Sequence, residues 1–292
     1  MKPFIAIVGC GKVGTAIGKF LAEAGYNIAG LASKSLLSAE RVADIVKTNN
    51  VSEIPWEITK KADIVFLTTP DNAIADTCNS ISIHSGFRKN AVVLHCSGAL
   101  PSTILSSAKK CNAFIGSMHP LQSFASTAPA GNPFKDIIIS VEGEKDAVNK
   151  ARKIATDLGA ECLIIKTEAK ALYHASAVVA SNYLVTLLDL SFRLIKAAGI
   201  TDREAFKALK PLIQGTLSNV EKAGIVDGLT GPIVRGDIET LKKHVEKIGA
   251  ITPDLLDFYK TLGFYTIDIA AAKGSLSKET IKKLKEFFSL KT

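Results

Sequence analysis

The chain has 292 residues, of which 47% are hydrophobic and 22% are charged, a length that favours two domains and a composition ordinary for a globular protein. Its five cysteines form no C-x-x-C pair and show no zinc-ligand spacing, which predicts reduced thiols, a cytoplasmic location and no bound metal. No stretch approaches the roughly 20 apolar residues that a membrane span needs, so we expect no membrane-spanning segment.

The net charge of +8 raises nucleic acid as a partner. The basic residues are spread along the chain, however, and the densest group alternates with apolar residues at helical spacing: Lys278, Lys282, Lys283 and Lys285. This pattern is typical of the solvated face of a helix, so we expect no nucleic-acid binding. The same positive field favours anionic cofactors and substrates.

The amino-terminal stretch contains the most specific motif of the sequence. A β-branched, apolar run over residues 4–8 ends in the pattern G-x-G-x-x-G, and a helical pattern follows. This order of strand, tight turn and helix is that of a dinucleotide-binding site, in which the free N–H groups of the helix bind phosphate. A glycine turn that binds nothing is the less favoured alternative. The predicted phosphate-binding residues are Gly9, Gly11, Lys12, Val13 and Gly14.

A second strand is expected over residues 26–32, and the residues after it bear on the choice of cofactor. NAD sites commonly place Asp or Glu here to bind the ribose 2′-hydroxyl, whereas this chain has Ser33, Lys34 and Ser35. Two hydroxyls and a cation suit a 2′-phosphate, and no carboxylate is present to repel it. We therefore expect NADP (NADPH); the alternative is that Lys34 is a solvated loop lysine.

A buried strand over residues 62–67 leads into Thr68, Thr69 and Pro70. Because parallel sheets bind ligands at the carboxyl ends of their strands, we expect Thr68 and Thr69 to flank the nicotinamide ribose. Pro70 lies beside them in the predicted cofactor site and, with Asp71, is placed to begin the next helix.

Two further predicted strands, residues 91–94 and 113–116, also lead into polar residues. Ser97 and His119 follow them on the ligand side of the sheet and are candidates to bind the polar groups of a substrate. A lone loop histidine is more often a structural hydrogen-bonding group, which is our interpretation of His95, whereas both roles stay open for His119.

The alternation of strands and helices ends after Lys166. One long helical pattern covers residues 167–198, and four more helical segments are expected at about 202–222, 237–248, 253–272 and 277–288. The predicted fold class is therefore α/β, a Rossmann-type doubly wound parallel sheet followed by an all-α domain. The predicted domains are residues 1–165, which bind NADP, and residues 166–292, which serve substrate binding and dimerisation.

A polar stripe marks the first helix of the second predicted domain. Lys170, His174 and Ser181 share one face at 3.6 residues per turn, and Asn182 flanks them on an otherwise apolar helix. If this face is buried against the nucleotide domain, its lysine and histidine need partners or shifted pKa values, which makes them functional candidates. The alternative is a stripe that faces solvent.

Several motifs resemble a family of Rossmann-like proteins, mostly assigned as NADP oxidoreductases, whose carboxy-terminal domain has no known function. They are Thr-Pro-Asp (69–71), His-x-Ser-Gly (95–98), His-Pro-Leu-x-Ser-Phe (119–124), Tyr-His-x-Ser (173–176), Ser-Asn-Tyr (181–183) and Thr-Gly-Pro-x-x-Arg-Gly-Asp (230–237). The organisation is also similar to that of the β-hydroxyacid dehydrogenases, ketopantoate reductase and pyrroline-5-carboxylate reductase. In the dehydrogenases a Lys-x-x-x-Asn pattern supplies the acid/base lysine, which matches Lys170, with His174 at the asparagine position. The His119-Pro120 segment looks like that of prephenate dehydrogenases, whose histidine reaches the substrate.

These resemblances imply an NADP(H)-dependent reductase of a small, anionic substrate. The leading expectation is a carboxylated 2-oxo acid, as in ketopantoate reductase, with Lys170 or His174 as the proton donor. Arg235 would bind the substrate carboxylate or brace its own loop. The alternatives are an imine reductase similar to pyrroline-5-carboxylate reductase, and a non-catalytic protein that senses NADP.

The second predicted domain carries more apolar helix faces than one modest helical domain needs. We therefore expect a C₂ homodimer that buries them. The residues assigned to these faces are Leu184, Leu187, Leu188, Leu190, Phe192, Leu194, Ile195, Leu255, Leu256, Phe258, Leu262 and Phe264.

Overall fold

The computed structural model describes residues 2–124 and 131–289. The chain divides into two compact units, Met1–Ala180 and Ser181–Thr292. The first unit contains the sheet, and the second is helical.

The first unit is built on one eight-stranded sheet. Its strands are β1 (Phe4–Val8), β2 (Asn27–Ala32), β3 (Val51–Ser52), β4 (Ile64–Leu67), β5 (Val92–His95), β6 (Phe114–Pro120), β7 (Ile138–Gly143) and β8 (Glu161–Ile164). They lie in the order β3-β2-β1-β4-β5-β6-β7-β8, and every neighbouring pair is parallel except β6 and β7. The predicted fold class is confirmed, with this antiparallel pair as the departure from a fully parallel sheet.

Helices connect these strands on both faces of the sheet. They are α1 (Lys12–Glu23), α2 (Leu36–Val46), α3 (Pro55–Thr59), α4 (Asp71–Ile83), a 3₁₀ helix (Ser102–Cys111) and α5 (Lys145–Asp157). Strand β3, helix α3 and the 3₁₀ helix were not predicted, because the first two have only two and five residues and the third lacks the α-helical period.

The two faces of the sheet bury different apolar layers, because successive strand residues point to opposite sides. Ile7, Phe66 and Leu94 belong to one layer, and Val65 and Val93 belong to the other. At the carboxyl end of β5, and at the residues of β6 and β7 that lie beside it, the second face changes from apolar to polar. That change of character marks the place where polar chemistry is concentrated.

A helical stretch continues from the first unit into the second. It consists of α6 (Lys170–Val178), a π turn (Val179–Tyr183) and α7 (Leu184–Ala197). The boundary between the compact units falls inside the π turn, later than the boundary expected at residues 165/166, because the first turns of α6 pack on the sheet. The π turn also holds more residues per turn than an α-helix, so the predicted polar face does not keep its register between His174 and Ser181.

The same stretch bears on the expectation of no membrane-spanning segment. Residues 167–197 form 31 helical residues that contain an 18-residue window of mean hydropathy 1.4, of which 6% is buried. By length and composition the helix could cross a membrane. One such helix is weak evidence for a membrane span, so the expectation of no membrane-spanning segment stays a prediction.

The second unit contains the remaining helices. They are α8 (Asp202–Gly228), α9 (Pro232–Arg235), α10 (Ile238–Ile251), α11 (Leu256–Ala272) and α12 (Lys278–Phe288). Only Ala205 and Gly228 of α8 are fully buried, although it is 27 residues long. On α12 the basic side chains are exposed and ion-paired, as expected for a solvated face: Lys282 with Glu286, Lys283 with Glu279, and Lys285 with Asp268.

Part of the apolar surface expected at a dimer interface is instead internal to the second unit. Leu190, Ile248 and Leu255 are buried there, and the apolar side chains packed around them belong to α7 and α11. These side chains therefore have partners within the second unit without a second copy of the chain. The residues of this local core that were assigned to the interface are Leu190, Leu194, Leu255, Leu256, Phe258 and Leu262.

Candidate functional site

The glycine motif forms a tight turn between β1 and α1. Gly9 has φ of 106°, and a Cβ atom there would lie 2.7 Å from the carbonyl carbon of Thr68. At Gly14 a Cβ would lie 2.0 Å from the Gly9 oxygen. These two positions therefore exclude any side chain because of contacts within the turn and with the residues that follow β4.

Gly11 is different, because a Cβ there would meet no described atom within 4 Å. The backbone N–H groups of Lys12, Val13 and Gly14 lie in the first turn of α1 and have no intrahelical partner, and no described side chain caps the helix. Open space in front of the amino end of a helix is what a pyrophosphate group requires. The five predicted phosphate-binding residues thus lie together in a geometry that fits a dinucleotide.

The Ser33-Lys34-Ser35 segment lies beside this turn. The backbone N–H of Gly9 donates to the Ala32 carbonyl at 2.8 Å, which fixes the end of β2 next to the glycine motif. Lys34 and Ser35 are exposed, and Ser35 precedes α2, which has no acidic residue in its first turn. The segment beside the glycine turn therefore combines a cation, two hydroxyls and a second helix amino end, and the first turn of that helix has no carboxylate.

The two threonines after β4 have different surroundings. Thr68 Oγ1 donates to the Gly9 carbonyl at 2.6 Å and so braces the turn. Thr69 Oγ1 is buried, and no hydrogen-bond partner for it occurs among the described residues. A buried hydroxyl without a partner is costly, so a ligand polar group there would be favoured. Pro70 directly precedes α4, which begins at Asp71.

The polar end of the sheet is a row of side chains that strand pairing brings together. His95 on β5 pairs with Ser117 on β6, and Ser117 pairs with Glu142 on β7. Paired residues point to the same face of a sheet. His95, Ser117 and Glu142 are all buried, and we call these three residues the polar row.

Lys170 packs onto the polar row from α6. Its side chain is 1% exposed, its Nζ donates to Ser117 Oγ, and Nζ lies 4.0 Å from Glu142 Oε1. Burial lowers the pKa of Lys170 to about 8, while Glu142, Cys96 and Asp71 act in the opposite direction. Because this value is near neutrality, Lys170 is suited to gain and lose a proton.

His119 lies above the polar row, with Tyr173 and His174 around it. Tyr173 Oη is 3.3 Å from His119 Nδ1, and the ring of His174 meets that of His119 edge to face at 6.1 Å. Burial, together with the nearby Lys170 and His174, lowers the pKa of His119 to about 4, while Asp71 acts in the opposite direction. Burial also raises the pKa of Tyr173, so the phenol stays protonated and can donate to a neutral imidazole.

Gly98 allows this arrangement, because a Cβ there would lie 2.4 Å from His174 Cδ2 and 2.8 Å from His119 Nε2. The two histidines therefore rest directly on the backbone that follows β5. This close approach explains why the motif His-x-Ser-Gly (95–98) ends in glycine.

His95 and Ser97 organise the loop after β5. His95 Nδ1 accepts from the Ser97 N–H at 3.2 Å, and burial lowers the pKa of His95 to about 3, so it is a neutral structural group, as expected. Ser97 Oγ donates to Asp71 at 2.7 Å and accepts from the N–H groups of Ala99 and Leu100. The Ser97 hydroxyl is thus already engaged within the loop.

The remaining predicted residues, Asn182 and Arg235, belong to the second unit. Asn182 is exposed in the π turn. Arg235 is also exposed and lies 4.0 Å from Asp237, whose side chain accepts from the Thr240 N–H and caps α10. This contact with Asp237 fits the alternative expectation for Arg235, in which it braces its own loop.

Sequence reasoning missed Ser117, Glu142 and Tyr173. A glutamate in a strand resembles a solvent-facing residue, and only the antiparallel β6–β7 pairing brings it beside Lys170. In residues 2–124 and 131–289, no group of three His, Cys, Asp or Glu side chains is placed to hold a metal ion.

Comparison with protein families agrees with the motifs. Residues 2–120 match a Rossmann-like domain, and residues 137–266 match a domain of unknown function, DUF2520. The chain combines a Rossmann-like domain with a DUF2520 domain. The family expected from the sequence motifs is thereby confirmed. Ser117 and His119 come from the Rossmann-like domain, whereas Glu142, Lys170 and Tyr173 come from DUF2520.

Solved structures show the same fold. A proposed NADP oxidoreductase from Bacteroides fragilis is 23% identical, with 89% of this chain and 96% of that chain covered and a TM-score of 0.71. Protein TM1727 from Thermotoga maritima is 25% identical, with 97% and 98% covered and a TM-score of 0.69. An imine reductase from Pseudomonas sp. is 14% identical, with 97% and 99% covered and a TM-score of 0.62. No curated protein matches the sequence.

Proposed function

We propose that this protein is an NADP(H)-dependent oxidoreductase. The observation that carries the proposal is that two features occur in the same compact unit. One is a glycine turn that fits a pyrophosphate, and the other is a buried lysine, Lys170, whose pKa is about 8. The names of the Bacteroides fragilis and Pseudomonas structures support the same class of reaction. The cofactor would supply the hydride, and its phosphates would be held by residues 9–14.

The protein side of the reaction is proton transfer and substrate orientation. Lys170 is the group in this unit best matched to donate a proton at neutral pH, since His119 has a pKa of about 4 and is neutral there. Neutral His119, hydrogen-bonded to Tyr173 at Nδ1, would carry its proton on Nε2 and offer that N–H to an acceptor atom. Together they suit reduction of a C=O or C=N bond.

A small carboxylated 2-oxo acid is the first candidate substrate, because Lys170 can donate a proton to the carbonyl oxygen that hydride transfer reduces. An imine is the second candidate, and the specific observation in its favour is the pairing of Lys170 with Glu142. An ammonium group whose charge is already balanced by a neighbouring carboxylate binds a second carboxylate poorly. It can still donate a proton to a substrate nitrogen.

A substrate panel distinguishes these candidates. Purified protein with NADPH is offered 2-oxo acids, including ketopantoate, and cyclic imines, and cofactor oxidation is followed by absorbance. Turnover of one class identifies it. Tight NADPH binding without turnover of any compound would contradict the proposed enzyme and favour a protein that senses NADP.

Cofactor preference gives the first prediction. NADPH should bind more tightly than NADH by about 1.5–3 kcal/mol, the contribution of hydrogen bonds to a charged group. Lys34→Asp should reverse this preference in calorimetric titrations, because the carboxylate repels a 2′-phosphate and accepts from a 2′-hydroxyl. Lys89→Asp makes the same change of charge at an exposed lysine beyond the opposite end of the sheet and should leave the preference unchanged. Equal affinities of the wild type for both cofactors would rule out this role for the segment.

The second prediction concerns self-association: we expect the protein to be a cytoplasmic homodimer. Exposed apolar side chains on α8 include Phe206, Leu212 and Leu217, with exposed fractions of 58%, 67% and 57%. We expect light scattering at micromolar concentration to give twice the chain mass of 31.0 kDa. Leu212→Asp should shift the protein toward the monomer, whereas Lys282→Asp, at an ion-paired site on α12, should not. A monomer that sediments with phospholipid vesicles would contradict the dimer and assign the apolar surface to a membrane.

A further inference from the structure

Glu142 has an unusually complete set of hydrogen-bond donors for a residue inside a sheet. Its carboxylate is 1% exposed and accepts from the Ser102 N–H at 2.7 Å, from Ser102 Oγ at 2.7 Å and from Thr167 Oγ1 at 2.8 Å. Ser102 begins the 3₁₀ helix, so its N–H belongs to the positive end of that helix. These donors hold the charged carboxylate in one place and orient it.

Lys170 is the cation that meets this carboxylate. Both side chains are 1% exposed, and an isolated ammonium group in such a place would lose its proton rather than remain charged. Other titratable groups near Lys170 come from every element packed against it. They are His119 on β6, His95 and Cys96 at the end of β5, Asp71 at the start of α4, and Tyr173 and His174 on its own helix.

We propose that Glu142 is the positioning residue for Lys170, holding its ammonium group against Ser117 and keeping it charged beside His119. This inference deepens the proposed function and rests on it, because positioning matters for turnover only if Lys170 is the proton donor. The carboxylate itself is enclosed by Ser102, Thr167 and Lys170, so it acts through the lysine.

The structure separates this role from that of a simple packing residue. A packing role depends on the volume of the side chain, whereas holding a charge depends on the carboxylate. Glu142→Gln keeps the volume and can still accept from Ser102, but it removes the charge opposite Lys170. The midpoint of Lys170 titration should then fall by about 1–3 pH units, the range for loss of one adjacent opposite charge.

The test is a pH titration of the Lys170 Cε signal by NMR in protein labelled with ¹³C-lysine, with Lys170→Met used to assign the signal. Wild-type protein, Glu142→Gln and Glu144→Gln are compared. Glu144→Gln is the matched control, since it removes a carboxylate two residues further along that binds Lys109 and the Ile115 N–H instead. We expect the midpoint to fall in Glu142→Gln alone. An unchanged midpoint in folded Glu142→Gln would overturn the proposal.

If Glu142→Gln does not fold, the double variant Lys170→Met/Glu142→Gln decides the question. It should fold, because no unpaired charge stays buried. A double variant that also fails to fold would contradict the proposal. The titration needs no substrate, so it is independent of the proposed reaction. Once a substrate is identified, the pH profile of kcat should shift together with the titration midpoint of Lys170. A shifted midpoint with an unshifted pH profile would refute only the proposed role of Lys170 in turnover, and not its positioning by Glu142.

Discussion

Replacing Lys170 by methionine should lower the rate of NADPH-dependent turnover by about 10²–10⁴-fold, the usual contribution of one general acid. Methionine keeps most of the volume of the lysine stem but cannot donate a proton. The affinity for NADPH should change little, because the groups proposed to bind its phosphates lie in the Gly9–Gly14 turn. The measurement is kcat in the substrate panel beside a calorimetric Kd for NADPH. Unchanged turnover of an identified substrate would exclude α6 as the catalytic element.

The same variant has a structural cost that the sequence alone did not indicate. Methionine leaves the Glu142 carboxylate buried without its cation, and breaking such a pair costs up to about 3–5 kcal/mol. Glu142 retains its bonds to Ser102 and Thr167, so the loss should lie toward the lower end of that range. A control for unfolding is therefore the double variant Lys170→Met/Glu142→Gln, which should be inactive yet more stable than Lys170→Met.

Stability against pH provides an independent check on Lys170. Its pKa is lowered from 10.5 to about 8 by burial, so between these values the unfolded chain binds more protons than the folded chain. The free energy of unfolding should therefore gain a contribution from this lysine that rises with pH from about 8 to 10.5. Denaturant titrations across that window should show this contribution in the wild type, and it should vanish in Lys170→Met.

Replacing Gly14 by alanine should weaken NADPH binding by about 100-fold or more. The new Cβ would lie 2.0 Å from the Gly9 oxygen and 2.5 Å from Thr68 Oγ1, so the turn must open. Opening the turn misplaces at least two N–H groups, each of which contributes about 1.5 kcal/mol or more to binding a charged phosphate. Calorimetry measures the affinity, and wild-type affinity in Gly14→Ala would contradict the assignment of the turn.

Gly11→Ala tests the same site without a clash. Its Cβ would meet no described atom within 4 Å, and its backbone conformation suits any residue, so folding should be unaffected. A melting temperature like that of the wild type, combined with weaker NADPH binding, would show that a ligand occupies the open space. Gly215→Ala, on α8 with equally open surroundings, is the matched control and should preserve the affinity.

The fold was predictable where local pattern decides the structure. The apolar run over residues 4–8, the glycine turn and the helix after it follow from side-chain period and turn geometry within 20 residues of chain. The parallel direction of the strands could be expected from the alternation of strands and helices, except at β7. There the chain returns antiparallel to β6, and no local feature of residues 138–143 signals that direction.

The candidate site was predictable only in part, because its contacts join distant segments. Lys170 and His119 stood out as polar residues in apolar surroundings or at strand ends. Glu142 did not, since its importance arises from pairing with Ser117 across β6 and β7. The polar face predicted from Lys170 to Ser181 assumed a regular helix, and the π turn at residues 179–183 breaks that regularity.

The network around Glu142 also has a consequence for the order in which the chain is completed during synthesis. Glu142 is joined to Ser102, 40 residues earlier, and to Thr167, 25 residues later, while Lys170 reaches back 53 residues to Ser117. A nascent chain that ends at residue 165 contains a full sheet but lacks both Thr167 and the lysine that neutralises the glutamate. We therefore expect a fragment of residues 1–165 to be a poor independent folding unit. A fragment that ends at residue 180 includes Lys170, the counter-ion of Glu142. Residue 180 is therefore a better place than residue 165 to divide the chain.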